Sequence, residues 1–189
     1  MKNILKIIAF NICFLLSFNA FSEGSNTFVI ETNRGNITIE VYPDKAPLTV
    51  KSFKNYVKNK FYNGLIFHRV ISNFMIQGGG FDKNMMQKKT NDPIKNESNN
   101  GLKNKSYSLA MARTNDPHSA TSQFFINLID NSFLNYTGNS ADKIGYCVFG
   151  NVIEGKKIVD KIGNLNTHKK NGFSDVPIKT VIIKSIKQR

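Results

Sequence analysis

About eight short apolar runs recur along this chain, and they constrain its fold more than any other feature. They lie at 28–32, 37–41, 65–70, 74–77, 108–112, 123–128, 146–152 and 181–186. Runs of this length, rich in Val, Ile and Phe and bounded by turn residues, read as strands. The first two face each other across Asn33-Arg34-Gly35-Asn36 as a hairpin. In the second, Ile37, Ile39 and Val41 alternate with Thr38 and Glu40, which gives that strand one wet face. Helical spacing occurs twice. Thr49 is placed to cap a helix running to Lys60, with Val50, Phe53 and Val57 on one side. A second helix fits Gly155–Ile162, with Ile158, Val159 and Ile162 inward. The polar stretch 82–106 reads as a long surface loop. So many strands with so few helices point to a mainly β fold, a closed eight-stranded antiparallel β-barrel accompanied by two α-helices, because closure removes exposed edges.

The N-terminus stands apart from this pattern. Lys2 and Lys6 lead into an apolar run from Ile7 to Phe21, and Ala20-Phe21-Ser22 offers small residues before a cut at Glu23. That is the form of a secretory signal peptide. The run is broken by Asn11 and Asn19 and is shorter than the roughly 20 residues a membrane span needs. Residues 1–22 are therefore expected to be a cleaved signal peptide and 23–189 the functional domain, with the periplasm as the destination. Cys147 is then the one cysteine left, which excludes an internal disulfide. In Tyr146-Cys147-Val148-Phe149 it reads as a buried small hydrophobe. The formal charge of +13 raises a nucleic-acid reading. The lysines are scattered, and export separates the chain from nucleic acid, so no such partner is expected.

Two segments carry the candidate chemistry. Phe67-His68-Arg69-Val70-Ile71 and Phe74-Met75-Ile76-Gln77 set a guanidinium and an amide among large apolar groups, ahead of Gly78-Gly79-Gly80. A lone charge in such surroundings is costly unless it is hydrogen-bonded. If the two strands pair, Arg69 and Gln77 project onto one face, where Gln77 can hold the Arg69 fork or the substrate carbonyl, while strict alternation sends His68 to the other. Met111-Ala112-Arg113 and Ser122-Gln123-Phe124-Phe125-Ile126-Asn127 are the second pair of segments. Taken on residues alone, the Phe and Met side chains serve as core and Arg69 as a structural ion-pair member. No Gly-x-Ser-x-Gly elbow surrounds Ser122. His118 and His168 have no partner at metal-ligand spacing, so neither a metal nor a cofactor is expected.

Together these segments resemble the cyclophilins, the peptidyl-prolyl cis-trans isomerases that bind cyclosporin, over about 27–186. The resemblance implies an eight-stranded barrel capped by helices and a turn at the triple glycine. It implies that Arg69 is catalytic with Gln77 beside it. Phe74, Met75, Phe125 and Leu134 would form the proline pocket. Ala112, Arg113 and Gln123 would line the substrate groove, with Arg113 standing where many eukaryotic members have Asn. Phe133 replaces a Trp found in cyclosporin-sensitive members, and Tyr146 fills a position that is His in many eukaryotic ones. Both changes are similar to bacterial cyclophilins, and they imply weak cyclosporin binding at most. The implied partners are proline-containing unfolded or flexible polypeptides, and a monomer is expected. The other functional reading is a module that grips proline segments as a chaperone or docking surface, with turnover incidental.

The proposed chemistry is consistent with these residue types. Peptide rotation is opposed by about 18–20 kcal/mol because the nitrogen lone pair is shared with the carbonyl. A twisted amide regains that lone pair, and a fixed donor can bind it in preference to either planar form. Arg supplies five N–H donors and keeps its charge at any working pH.

Overall fold

A computed structural model of the chain describes residues 25–189; the expected signal peptide lies outside the described residues. In chain order the elements are β1 (Thr27–Thr32), β2 (Gly35–Val41), α1 (Pro47–Lys58), β3 (Leu65–Ile71), β4 (Met75–Asp82), β5 (Ser108–Met111) and β6 (Phe124–Asn127). They continue with β7 (Val148–Glu154), α2 (Lys156–Gly163), β8 (Thr167–Lys170), β9 (Phe173–Pro177) and β10 (Val181–Gln188). Eight strands close a barrel in the order β1-β10-β3-β4-β6-β5-β7-β2, and β8 with β9 makes a separate hairpin. Neighbouring barrel strands run antiparallel.

The period of two sorts side chains between two clusters. Ile76, Leu109, Met111, Phe124, Ile126 and Phe149 point into the main core. Their neighbours Met75, Ala110, Phe125 and Val148 point the other way and form a second apolar cluster. The alternation that fills the barrel thus also lays an apolar floor on its outside.

Phe53 of α1 sits at the centre of the main core. Its ring lies 5.4 Å from Phe28, 5.7 Å from Tyr62, 5.5 Å from Phe149 and 6.2 Å from Phe124. α2 buries Val159 and Ile162. The expected cap at Thr49 is corrected by the structure. The helix starts at Pro47, a residue suited to the first turn, and Ala46 before it has no side-chain cap bond. Glu97, from the 82–106 stretch, does the capping instead. Its carboxylate accepts the backbone N–H groups of Leu48 and Thr49 at 3.0 and 2.9 Å and the Thr49 hydroxyl at 2.8 Å. The 82–106 stretch is accordingly pinned, with Ser98 and Asn104 buried. The Thr49 hydroxyl also lies 3.5 Å from the sulfur of Cys147. That thiol is buried, and burial pushes it up to about 11, as expected of a small hydrophobe and not of a nucleophile.

Two further expectations change. Thr38 is not wet; it is buried and donates to Glu154 at 3.0 Å. The triple glycine is not a turn, because β4 runs straight through it. A Cβ on Gly78 would lie 2.9 Å from the Ile66 carbonyl oxygen, and Gly79 has φ +85°, so close strand approach and a left-handed residue require glycine here.

Candidate active site

One row of side chains crosses the outside of the barrel. Arg69 on β3 pairs with Gln77 on β4, Gln77 with Phe125 on β6, Phe125 with Ala110 on β5, and Ala110 with Val148 on β7. Residues directly opposite in antiparallel strands have side chains within reach of each other. The row therefore runs from a guanidinium through an amide to an apolar floor. A groove of about 380 Å³ opens over it, lined by Arg69, Phe74, Met75, Gln77, Ala112, Arg113, Gln123, Phe125, Leu134 and Tyr146. Ten of the eleven expected site residues meet there. The eleventh, Phe133, lies outside the groove lining, 74% exposed, and stacks on Phe74 with ring centres 5.6 Å apart.

The apolar end is held by buried amides. Asn131 donates to the Phe74 carbonyl at 2.9 Å and to Asn127 at 2.7 Å, and Asn127 donates to the Ser108 hydroxyl at 2.9 Å. Leu134 follows in a 3₁₀ turn over 132–134. Burying these amides is tolerable only because each is paired, and the pairing fixes the hollow's shape. At the opposite wall Arg113 lies over the Tyr146 ring at 4.6 Å and donates to the carbonyls of Gly145 and Thr114 at 3.1 and 2.9 Å. Its side chain is part of the wall.

Arg69 is not buried: its side chain is 42% exposed. Of the two roles open to Gln77, it does not hold the Arg69 fork here, since its amide donates to Gln123 at 3.0 Å. An acid does approach Arg69, and it comes from far along the chain. Asp175 of β9 lies 3.7 Å from Arg69 Nε.

His68 does not face away from Arg69. The register of β3 against β4 slips between Phe67 and Arg69. Phe67 and Val70 both enter the main core, and His68 and Arg69 both line the groove. A β-bulge of this kind places two consecutive side chains on one face. Phe81, Phe173 and Ser174 complete that end of the groove, and none of them was anticipated. For the hairpin carrying the last two, a signal existed. Asn171-Gly172, with φ +49° and +83°, is the pair favoured in tight hairpin turns.

His68 is 4% exposed, and its Nδ1 has no hydrogen-bond partner among the described residues. Burial, with the Arg69 charge acting in the same direction, pushes it from the ordinary 6.5 down to about 4. The unfolded histidine takes up its proton at the higher value, so between the two values the unfolded state binds more protons. Stability from this group is complete above pH 6.5 and falls as the pH drops toward 4. The expected loss is on the order of 3 kcal/mol, read as a falling urea midpoint that is flattened in His68→Gln. Catalysis itself is expected to show no titration step between about pH 6 and pH 9, because His68 stays neutral there.

The family model described as cyclophilin type peptidyl-prolyl cis-trans isomerase/CLD matches residues 27–188. The chain is 57% identical over 155 residues to peptidyl-prolyl cis-trans isomerase B of Escherichia coli (strain K12), covering 82% of this chain and 94% of that one. It is also 57% identical over 163 residues to a peptidyl-prolyl cis-trans isomerase of Acinetobacter baylyi, covering 86% and 85%. Among solved structures, a cyclophilin type isomerase of Cryptosporidium parvum, crystallised in the presence of the dipeptide Ala-Pro, superimposes with a TM-score of 0.71 at 27% identity, covering 86% of this chain and 98% of that one.

Proposed function

Because the chain belongs to the cyclophilin-type peptidyl-prolyl cis-trans isomerases, we propose that it isomerises X–Pro bonds in unfolded or flexible exported polypeptides, with Arg69 as the donor that selects the twisted amide. The observation that carries the site assignment is the groove over the cross-strand row, with the Arg69 guanidinium at one end of that row and a hollow walled by Phe74, Met75, Phe125 and Leu134 along it.

A pyrrolidine ring fits an apolar hollow walled by aromatic and thioether groups, and burial there holds it. With the ring held, the residue before proline rotates in the open part of the groove. As the amide leaves planarity, its nitrogen regains a lone pair, and an Arg69 N–H donates to it. This bond is weak in either planar isomer and strong in the twisted one, so it lowers the barrier without deepening the ground state. The Gln77–Gln123 pair and the groove walls orient the chain on either side of the ring. No proton is transferred, in line with the flat pH profile expected above.

The test is proline-limited refolding of a client chain. Acceleration of the slow phase at substoichiometric protein supports turnover. A need for stoichiometric protein would favour the gripping-module reading and sink this one. Phe133 offers no indole N–H, so cyclosporin is expected to bind weakly at most. The basic lead and the apolar run through Phe21 support export to the periplasm. N-terminal sequencing of the mature protein from a periplasmic fraction should begin at Glu23; an intact Met1 would overturn that assignment.

A further inference from the structure

We infer that Asp175 is a positioning residue for the isomerisation, fixing the Arg69 guanidinium over the groove from a hairpin docked outside the barrel. The inference rests on the reading of Arg69 as the donor. Three observations carry it. Asp175 lies 3.7 Å from Arg69 Nε and, among the described residues, is its one ion-pair partner. Gln77, the other group placed to hold Arg69, is engaged with Gln123. Asp175 also has φ +61°, a left-handed conformation that a non-glycine residue adopts at some cost in energy. Strain of this kind persists only where the surroundings impose it.

The surroundings do impose it. Phe173 packs on Phe81 at 5.0 Å between ring centres. Val176 is buried against Ile66 and Met85. At the hairpin tip, Asn171 donates to the Asn84 carbonyl at 3.3 Å and Lys170 to that of Lys83 at 3.1 Å. Asp175 sits between these anchors, which hold its backbone beside Arg69. Pairing through Nε leaves the terminal nitrogens of the fork for the substrate. An arginine side chain otherwise has several rotatable bonds and samples many positions, and holding it beforehand removes an ordering cost from the transition state.

The experiment is Asp175→Asn, since asparagine tolerates the same backbone conformation and removes only the charge. The expected result is a fall in kcat of about two- to fivefold, the range of an exposed ion pair, with KM nearly unchanged. The gap from the wild type should close in about 1 M salt, where exposed charges are screened within roughly 3 Å. Asp175→Gly, which relaxes the backbone and also removes the carboxylate, should give the same loss. A wild-type kcat in both variants overturns the inference. So does a loss confined to KM, or one that persists undiminished in high salt. Arg69→Ala, measured alongside, separates the two ideas. If it keeps full activity, the donor reading fails; if it loses activity while the Asp175 variants do not, only the positioning role falls.

Discussion

Arg69→Ala is expected to lower kcat/KM for X–Pro isomerisation by about 100- to 1,000-fold, the usual consequence of deleting one preorganised donor aimed at developing charge. The fold should survive. The ion pair with Asp175 is more than a third exposed on both sides and 3.7 Å long, so its loss costs little stability. The alanine variant should therefore retain the wild-type urea midpoint while its isomerisation of a Pro-containing peptide collapses. Arg69→Lys should fall between the two, since an ammonium keeps the charge but not the planar fork. A drop of less than about tenfold in the alanine variant would mean that the barrier is lowered chiefly by the apolar hollow, and the donor would have to be sought elsewhere.

Phe53→Ala is expected to remove about 3–5 kcal/mol of stability. Four aromatic rings lie within 6.2 Å of the Phe53 ring, and they belong to three barrel strands and the segment after α1. Such a cavity cannot collapse without moving several strands at once, which places the cost toward the upper end of the range. Because domains of this size are stable by only about 5–15 kcal/mol, the variant should unfold at a far lower urea concentration with an unchanged slope. Activity at low temperature should remain, since Phe53 faces the core and the groove lies outside. A midpoint shift worth less than about 1 kcal/mol would show that α1 contributes little to closing the barrel.

Much of this architecture is legible in the residues themselves. The spacing of Ile37, Ile39 and Val41 and the helical spacing of Val50, Phe53 and Val57 report which side is buried, because a strand or helix must hide one side, although Thr38 is buried as well. The pocket residues are recognised through a family resemblance; the register places Arg69, Gln77 and Phe125 in one row, and neighbouring segments supply the rest of the groove. What escaped depended on contacts distant in sequence. Glu97 caps a helix 49 residues away. Asp175 meets a residue on β3 through a hairpin that local alternation does not mark as part of the barrel. The turn expected at the triple glycine failed because glycine also serves where strands approach closely, and composition does not separate the two uses. His68 was sent to the wrong side because alternation assumes unbroken register.

That slip at residues 67–69 has a consequence for what the chain can tolerate. Were β3 a regular ladder, either Arg69 would be driven into the hydrocarbon centre and Val70 out of it, or His68 would enter and Phe67 would leave. One supernumerary residue resolves the conflict, so the lining of the groove and the filling of the barrel meet at a single joint. Losing or gaining a residue elsewhere in β3 would invert every side chain on one side of the change, whereas removing His68 alone would leave a regular ladder with Phe67 and Val70 still inward and Arg69 still over the groove.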